Sequence, residues 1–404
     1  MNNSTLLEKL THQINTVKTK IPFYQDLYKS MPASCNFEDI PFITKDMLAT
    51  TNLEYWNRQD YLEKYNTGQL RQGRSSGTTG KLTTILYDPI DHIKSLQELW
   101  FYRLKWYNIK PQEDKVLLFY PTDNHELKKI DTKERLALSK PFLFSENRIL
   151  NALKIIRESK PDYCIIQPST AVLLYKTWEK YNLSPILEMR YIEFNGEFLE
   201  NTVIKNIKKV FPNAQVSNQY GLQELQSVAF TCPHGNMHLM TSNCYTEIVN
   251  QDENGIGDIC LTTLKNKVMP YIRFITGDKG YITTEKCPCG CNNPILHLTR
   301  GRDNDFIRRP NGELLHPYII LQSIEAVTND LLQYRVTQTD YNNFVFDLVL
   351  ANKNKQYIVE TKLAKILNIE LKDDITVQFN YFDTLFPERN TGKQTVFICT
   401  MEDE

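Results

Sequence analysis

The chain has 404 residues, 41% hydrophobic, 11% aromatic and 24% charged, with a formal net charge of −1. That length predicts two domains with sizeable cores, the first of them large. The near-neutral charge gives no electrostatic basis for a nucleic-acid or anionic-membrane partner.

Met1 to Lys20 carries Leu6, Leu7, Leu10, Ile14 and Val17 at helical spacing, which predicts an amphipathic helix rather than a signal peptide. Ile21-Pro22-Phe23-Tyr24 ends that pattern, and Pro41-Phe42-Ile43-Thr44-Lys45-Asp46 reads as a turn and helix cap. From Lys115 to Lys265 short apolar strands alternate with amphipathic helices. Residues 115–120 and 162–167 read as buried strands, and 201–211 as a helix with Val203, Ile204, Ile207, Val210 and Phe211 on one face. Such alternation implies an α/β layer with parallel pairing. Tyr245 to Ile282 is richer in β-formers and glycine, which predicts a β-rich subdomain. Near the end, Phe344, Phe346, Leu348 and Leu350 alternate, as do Val377, Phe379 and Tyr381, with a helix expected over 357–367.

The expected fold class is therefore α/β: a large N-terminal domain of layered α/β sheets with a β-rich subdomain, plus a small mobile α+β C-terminal domain. The boundary is placed near Arg302-Asp303-Asn304, giving domains 1–303 and 304–404. No run of about eighteen apolar residues occurs, so no membrane span is expected. Of the nine cysteines, Cys35, Cys164, Cys244, Cys260 and Cys399 are scattered singly, which fits a reduced, cytoplasmic protein.

Ser75-Ser76-Gly77-Thr78-Thr79-Gly80-Lys81-Leu82-Thr83 concentrates glycines, hydroxyls and a lysine. Glycine lets backbone N–H groups approach an anion closely, and hydroxyls and lysine add donors and charge. The loop suits triphosphate oxygens, although it lacks the Gly-x-x-x-x-Gly-Lys-Ser/Thr spacing of P-loop NTPases. Four further segments follow it in order: Asn218-Gln219-Tyr220-Gly221-Leu222-Gln223-Glu224, Arg273-Phe274-Ile275-Thr276-Gly277-Asp278, Gly301-Arg302-Asp303-Asn304-Asp305 and Asn390-Thr391-Gly392-Lys393.

This ordered set resembles the adenylate-forming superfamily of acyl-CoA synthetases, luciferases and adenylation domains, and within it the phenylacetate–CoA ligase branch. Ile21-Pro22-Phe23-Tyr24, Pro41 to Lys45, Gln167-Pro168-Ser169, Gly196-Glu197 and Val268-Met269-Pro270-Tyr271-Ile272-Arg273 support the branch. The likeness runs from about Leu6 to Lys393. It implies that Ser75, Ser76, Gly77, Thr78, Thr79, Gly80 and Lys81 hold the β- and γ-phosphates of ATP. Tyr220, beside Asn218 and Gly221, would face adenine, with Gly196 and Glu197 at the edge of the purine. Glu224 would offer Mg²⁺ a hard oxygen ligand, Asp278 would bind the ribose hydroxyls, and Arg302 would reach the nucleotide from the domain junction. Lys393 resembles the catalytic lysine of the mobile domain, steadying carboxylate and α-phosphate as they join.

Three segments depart from the branch. Asn195-Gly196-Glu197-Phe198 stands where Gly-Ala-Glu-Pro is usual, Asn218 replaces an aspartate, and Asn304 occupies the hinge position. Read alone, Tyr220 is equally a core aromatic, Asp278 a turn cap, Arg302 a surface ion-pair member and Lys393 a solvated charge. His125 reads as a loop histidine, because a carboxylate substrate is already ionised near neutral pH and needs no base.

Cys287-Pro288-Cys289-Gly290-Cys291 and Cys232-Pro233-His234-Gly235-Asn236-Met237-His238 together offer more than the four ligands a tetrahedral structural zinc needs. The resemblance selects Cys232, His238, Cys287 and Cys289. His234 and Cys291 remain alternates by spacing.

The resemblance implies ATP-dependent, AMP-forming activation of a small carboxylic acid, an aryl acid by the residues of 119–126, 167–170 and 221–229. Transfer to coenzyme A or to a carrier-protein phosphopantetheine thiol would follow, releasing AMP. Two alternatives share these motifs: an adenylation enzyme dedicated to loading an acyl- or aryl-carrier protein, and a non-catalytic nucleotide-binding homologue. A homodimer is the assembly considered.

Overall fold

The computed structural model describes residues 3–29, 31, 37–50, 53–76, 82–120, 128–129, 136–139, 146–302, 307–311, 314–315, 320, 324, 327, 330–371, 375–386 and 396–401. It is a mixed α/β structure. Two compact units interleave along the chain: Met1–Asn108 with Gln219–Leu298, and Ile109–Asn218 with Thr299–Glu404.

In the first unit the helix Asn3–Lys20 buries Leu10 and Val17, with Ile14 packed beside them. Pro22 opens a second helix, Pro22–Leu27, at a position where a missing N–H leaves nothing unpaired. That helix places Phe23 and Tyr24 against Trp56, with the Phe23 and Trp56 ring centroids 3.9 Å apart. The Tyr24 hydroxyl donates to the Pro270 carbonyl at 2.9 Å and accepts the Ile272 N–H at 3.0 Å. Thr44 caps the helix Lys45–Thr50 by accepting the Met47 N–H at 3.4 Å, as the sequence predicts. Arg273, only 5% exposed, donates to the Ile40 carbonyl at 2.9 Å and to Glu247 at 3.1 Å, and lies over the Phe42 ring. Three of the segments that carry the branch resemblance, 21–24, 41–45 and 268–273, are thus bonded to one another through the core of this unit.

The β-rich stretch is present as Cys244–Val249, Gly257–Thr263 and Phe274–Thr283. These strands continue side by side with Ile295–Arg302, Met237–Leu239, Gln226–Thr231 and Gln215–Leu222, in that order. Gly257–Thr263 is buried along its whole length, so both faces of this sheet are covered there.

The second unit holds the expected parallel layer. Val116–Tyr120 pairs in parallel with Leu136–Ser139 and with Tyr163–Ile166, which pairs in parallel with Tyr191–Asn195. Helices Glu146–Ser159, Pro168–Lys180 and Asn201–Val210 pack on it, the last through Val203, Ile207 and Val210. In the same unit, Leu331–Asp340 pairs antiparallel with Asn343–Leu350 and parallel with Phe397–Cys399. Helix Gln356–Leu371 sets Val359, Leu363, Leu367 and Leu371 in one core with Phe344, Phe346 and Leu348. The four-residue spacing of that stripe is what one helical face requires. Cysteines 164, 232, 244, 260, 287, 289, 291 and 399 are free thiols. Among the described residues, no helix is long and apolar enough to cross a membrane.

Candidate functional site

In the first unit, strands Arg71–Ser76 and Leu82–Tyr87 form an antiparallel hairpin in which Ser76 faces Leu82, so the hydroxyl- and glycine-rich segment connects them. Ser75 and Ser76 end the first strand; Gly77, Thr78, Thr79, Gly80 and Lys81 lie outside the described residues. The hairpin is tied to the 218–224 segment at two points. Tyr87 donates its hydroxyl to the Glu224 carbonyl, and a Cβ added to Gly73 would stand 3.2 Å from Gln223 Oε1.

Most of the 218–224 segment lies in the strand Gln215–Leu222. Its partner Gln226–Thr231 shifts register between Tyr220 and Gly221, and there the backbones crowd. A Cβ at Gly221 would sit 2.3 Å from the Gln226 carbonyl oxygen and 2.7 Å from Gln219 Nε2. Only glycine fits so close an approach. Tyr220, half-buried on this strand, donates its hydroxyl to Asp278 Oδ2 at 2.9 Å. The Asp278 N–H in turn donates to Thr276 Oγ1 at 3.1 Å. Two residues named for the nucleotide are thereby joined. Glu224, four positions after Tyr220, is 2% exposed.

In the second unit Glu197 serves the start of the helix Pro168–Lys180. Its Oε2 accepts the Ser169 N–H at 2.8 Å and its Oε1 accepts the Ser169 hydroxyl at 2.9 Å. A carboxylate at a helix N-terminus satisfies an orphan donor and opposes the helix dipole. Gly196 stands against Gln167, whose Cγ would be 3.7 Å from an added Cβ. Asn218 is half-buried on its strand. Arg302 ends the strand Ile295–Arg302, while Asp303, Asn304, His125 and Lys393 lie outside the described residues.

The second constellation belongs wholly to the first unit. Ligand atoms of Cys232, His238, Cys287 and Cys289 all lie within 4.8 Å of one another. Two tight turns deliver them, with Gly235 at φ +84° and Gly290 at φ +77°, the left-handed region that glycine enters freely. Cys232 Sγ is 3.7 Å from Cys287 Sγ, and Cys289 Sγ is 3.2 Å from His238 Nε2. A tetrahedral zinc sets sulfur–sulfur separations at about 3.8 Å and sulfur–nitrogen separations at about 3.5 Å. The donor set therefore fits that ion. His238 is fully buried, and its Nδ1 lies 2.9 Å from the Asn293 carbonyl. A carbonyl only accepts, so Nδ1 carries the proton there and Nε2 faces the sulfurs.

Burial opposes charge on His238, yet hydrogen bonds with Cys232, Cys291, the Asn293 carbonyl and Cys287 push it up to about 12. Burial raises the Cys287 thiol, while the Asn236 side chain and the Cys289 backbone bring it down to about 6. The thiolate is the ligating form, and metal binding displaces the protons.

The two alternates fall outside the cluster. His234 is exposed on its turn, and Cys291, 6% exposed, pairs with the Tyr102 hydroxyl at 3.2 Å. Glu98, Tyr102, Trp106 and Asn293 were not singled out by sequence. Glu98, Tyr102 and Trp106 recur every four residues, the one-face spacing that could have pointed to them.

A scan of protein-family models finds no match to this chain. A phenylacetate–coenzyme A ligase of Thermus thermophilus is 26% identical over 164 residues, 38% of this chain and 37% of the relative. Protein CapK of Staphylococcus aureus is 23% identical over 206 residues, 50% of this chain and 45% of the relative. The matches thus span less than half the length of either curated relative. Among solved structures, a 2-hydroxyisobutyryl-CoA ligase in the postadenylation state, in complex with R3-HIB-AMP, superposes with a TM-score of 0.75 at 17% identity. That likeness covers 98% of this chain and 89% of the other, and at such identity it speaks for the fold. The chain therefore shares the fold of that 2-hydroxyisobutyryl-CoA ligase, and over 164 residues its sequence is similar to a phenylacetate–coenzyme A ligase.

Proposed function

We propose that the chain is an AMP-forming acid–thiol ligase. A carboxylate attacks the α-phosphate of MgATP, giving an acyl-adenylate and pyrophosphate; a thiol then displaces AMP. The observation that carries this reading is the Tyr220–Asp278 hydrogen bond at 2.9 Å, which sets an aromatic ring and a carboxylate side by side. An adenosine offers those groups a flat base and two ribose hydroxyls. In this reading Ser75 to Lys81 hold phosphate oxygens, Glu224 supplies a hard oxygen to Mg²⁺, and Gly196, Glu197, Asn218, Gly221 and Arg302 frame the nucleotide. Residues from 304 onward form the mobile domain that carries Lys393.

The acid is a small aryl acid and the acceptor thiol is coenzyme A. The free cysteines support a reducing, cytoplasmic setting. Cys232, His238, Cys287 and Cys289 bind one zinc ion, structural because four protein ligands leave no open coordination position.

The test is exchange of labelled pyrophosphate into ATP across a panel of aryl and aliphatic acids, with Lys393→Ala alongside. Exchange with one aryl acid, cut about 10²–10³-fold in the variant, supports the reading. No exchange with any acid sinks it. Release of AMP with coenzyme A, against a phosphopantetheinylated carrier protein, identifies the acceptor.

A further inference from the structure

Both loops that deliver the metal ligands run on, past their last ligand, into one shared carboxylate. Beyond His238 the chain reaches Ser242, whose N–H and hydroxyl donate to Glu98 Oε2 at 2.9 and 2.6 Å. Beyond Cys289 it reaches Asn293, whose Nδ2 donates to Glu98 Oε1 at 3.0 Å. The same Nδ2 lies 2.9 Å from the Leu239 carbonyl and 3.3 Å from the Tyr102 hydroxyl, so the Asn293 side chain is held from three sides. Its backbone carbonyl is the acceptor for His238 Nδ1.

Glu98 sits in the first turn of the helix Gln97–Tyr107. Four and eight residues on, Tyr102 and Trp106 stack with ring centroids 4.0 Å apart, and the Trp106 ring lies 5.7 Å from that of His238. One helical face therefore covers the imidazole, while its carboxylate grips both loops.

We infer that Glu98 is a positioning residue for the metal centre, acting through Asn293 to fix the tautomer and ring orientation of His238. The inference rests on the zinc reading of the four ligands. Its chemistry is specific to a carboxylate. Glu98 takes three donors, two from Ser242 and one from Asn293, and a carboxylate only accepts. A glutamine in its place keeps one oxygen for Ser242 but turns an NH₂ group toward the NH₂ of Asn293. Donor then meets donor, Asn293 moves, and the carbonyl that orients His238 moves with it. Partners outside the ligand shell that orient a ligating histidine commonly carry 10–100-fold in metal affinity.

The experiment uses the full chain. Zinc affinity is measured by competition with a chromophoric chelator, and His238 is followed by ¹⁵N NMR of histidine-labelled protein. Glu98→Gln is expected to weaken zinc binding about 10–100-fold and to alter the Nδ1–H signal of His238. Ser242→Ala, which keeps its N–H donor, is expected to stay within about threefold of wild type. Should Glu98→Gln not fold, Glu98→Asp carries the test: one methylene shorter, it keeps Ser242 but cannot reach Asn293, and affinity falls.

Affinity within about threefold of wild type in folded Glu98→Gln, with an unchanged His238 signal, overturns the inference while leaving the zinc reading intact. A wild-type protein that takes up no zinc overturns both.

Discussion

Tyr220 and Asp278 stand 58 positions apart in sequence, and the tyrosine hydroxyl bonds the carboxylate at 2.9 Å. The bond holds the carboxylate beside the ring. Asp278→Ala is expected to weaken ATP binding at least about tenfold, since a charge-assisted pair to a sugar hydroxyl contributes about 1.5–3 kcal/mol. Tyr220→Phe keeps the flat face and loses only the tether, so its effect is smaller, about 2–10-fold. Calorimetric titration with a non-hydrolysable ATP analogue measures both. Equal affinity in all three proteins would remove the pair from the nucleotide site.

Elemental analysis of purified protein is expected to give one zinc per chain. Cys289→Ser should lose it, whereas Cys291→Ser should keep it, because Cys291 turns to Tyr102. Stripping the ion with a strong chelator is expected to cost about 2.7–4.1 kcal/mol of stability for free zinc at 100–1,000 times Kd. Chelation that leaves the melting temperature untouched would contradict a structural ion.

Gly221→Ala tests backbone crowding. The new Cβ meets a carbonyl oxygen at 2.3 Å, and main chain cannot swing aside as a flexible side chain does. A loss of about 1–3 kcal/mol is expected in denaturant unfolding. Gly235→Ala meets no neighbour and suffers only from its positive φ, so it should cost less, about 1 kcal/mol. The reverse order would mean that the strand pairing is looser than described.

Lys176 supplies a pH signature. Burial brings its ammonium down to about 8, against the pull of Asp383 and Glu179. Its amine donates to the Asp383 carbonyl. An unfolded lysine holds its proton to about 10.4, so between those values the unfolded chain binds more protons and stability rises with pH. Below about 8 the folded chain carries the buried charge at a cost. Lys176→Met is therefore expected to outlast wild type at pH 7 by about 1–2 kcal/mol, and to lose that advantage by pH 10. A stability difference that does not change with pH would show that the amine is not desolvated.

Much of this was readable before any coordinates. The i, i+4 spacing of Val203 and Ile207 marks a helix face, and the alternation at Phe344, Phe346 and Leu348 marks a strand, because burial on one side leaves a period. Periods are local, and contacts are not. Glu98 meets Asn293 across 195 positions and Tyr87 meets Glu224 across 137, separations at which sequence alone leaves no trace. The clustered cysteines suggest a metal site, but that Cys289 rather than Cys291 groups with Cys232, His238 and Cys287 depends on which thiol a turn aims inward. Glu197 was expected at the edge of the purine; its role at the start of the helix Pro168–Lys180 required knowing where Ser169 lies.

Cys232 and Cys287 are 55 positions apart, and the strand bearing Asp278 lies on the stretch between them. An ion that joins those sulfurs closes that stretch into a ring. By loop-closure entropy such a clasp is comparable to a disulfide of about 4 kcal/mol. Under the proposed function, the carboxylate that takes the ribose would then sit inside a covalent-like circle whose clasp is inorganic. Under that reading, whatever factor the clasp adds to the grip on adenosine, adenosine would return to the clasp, since linkage between two ligands is symmetrical.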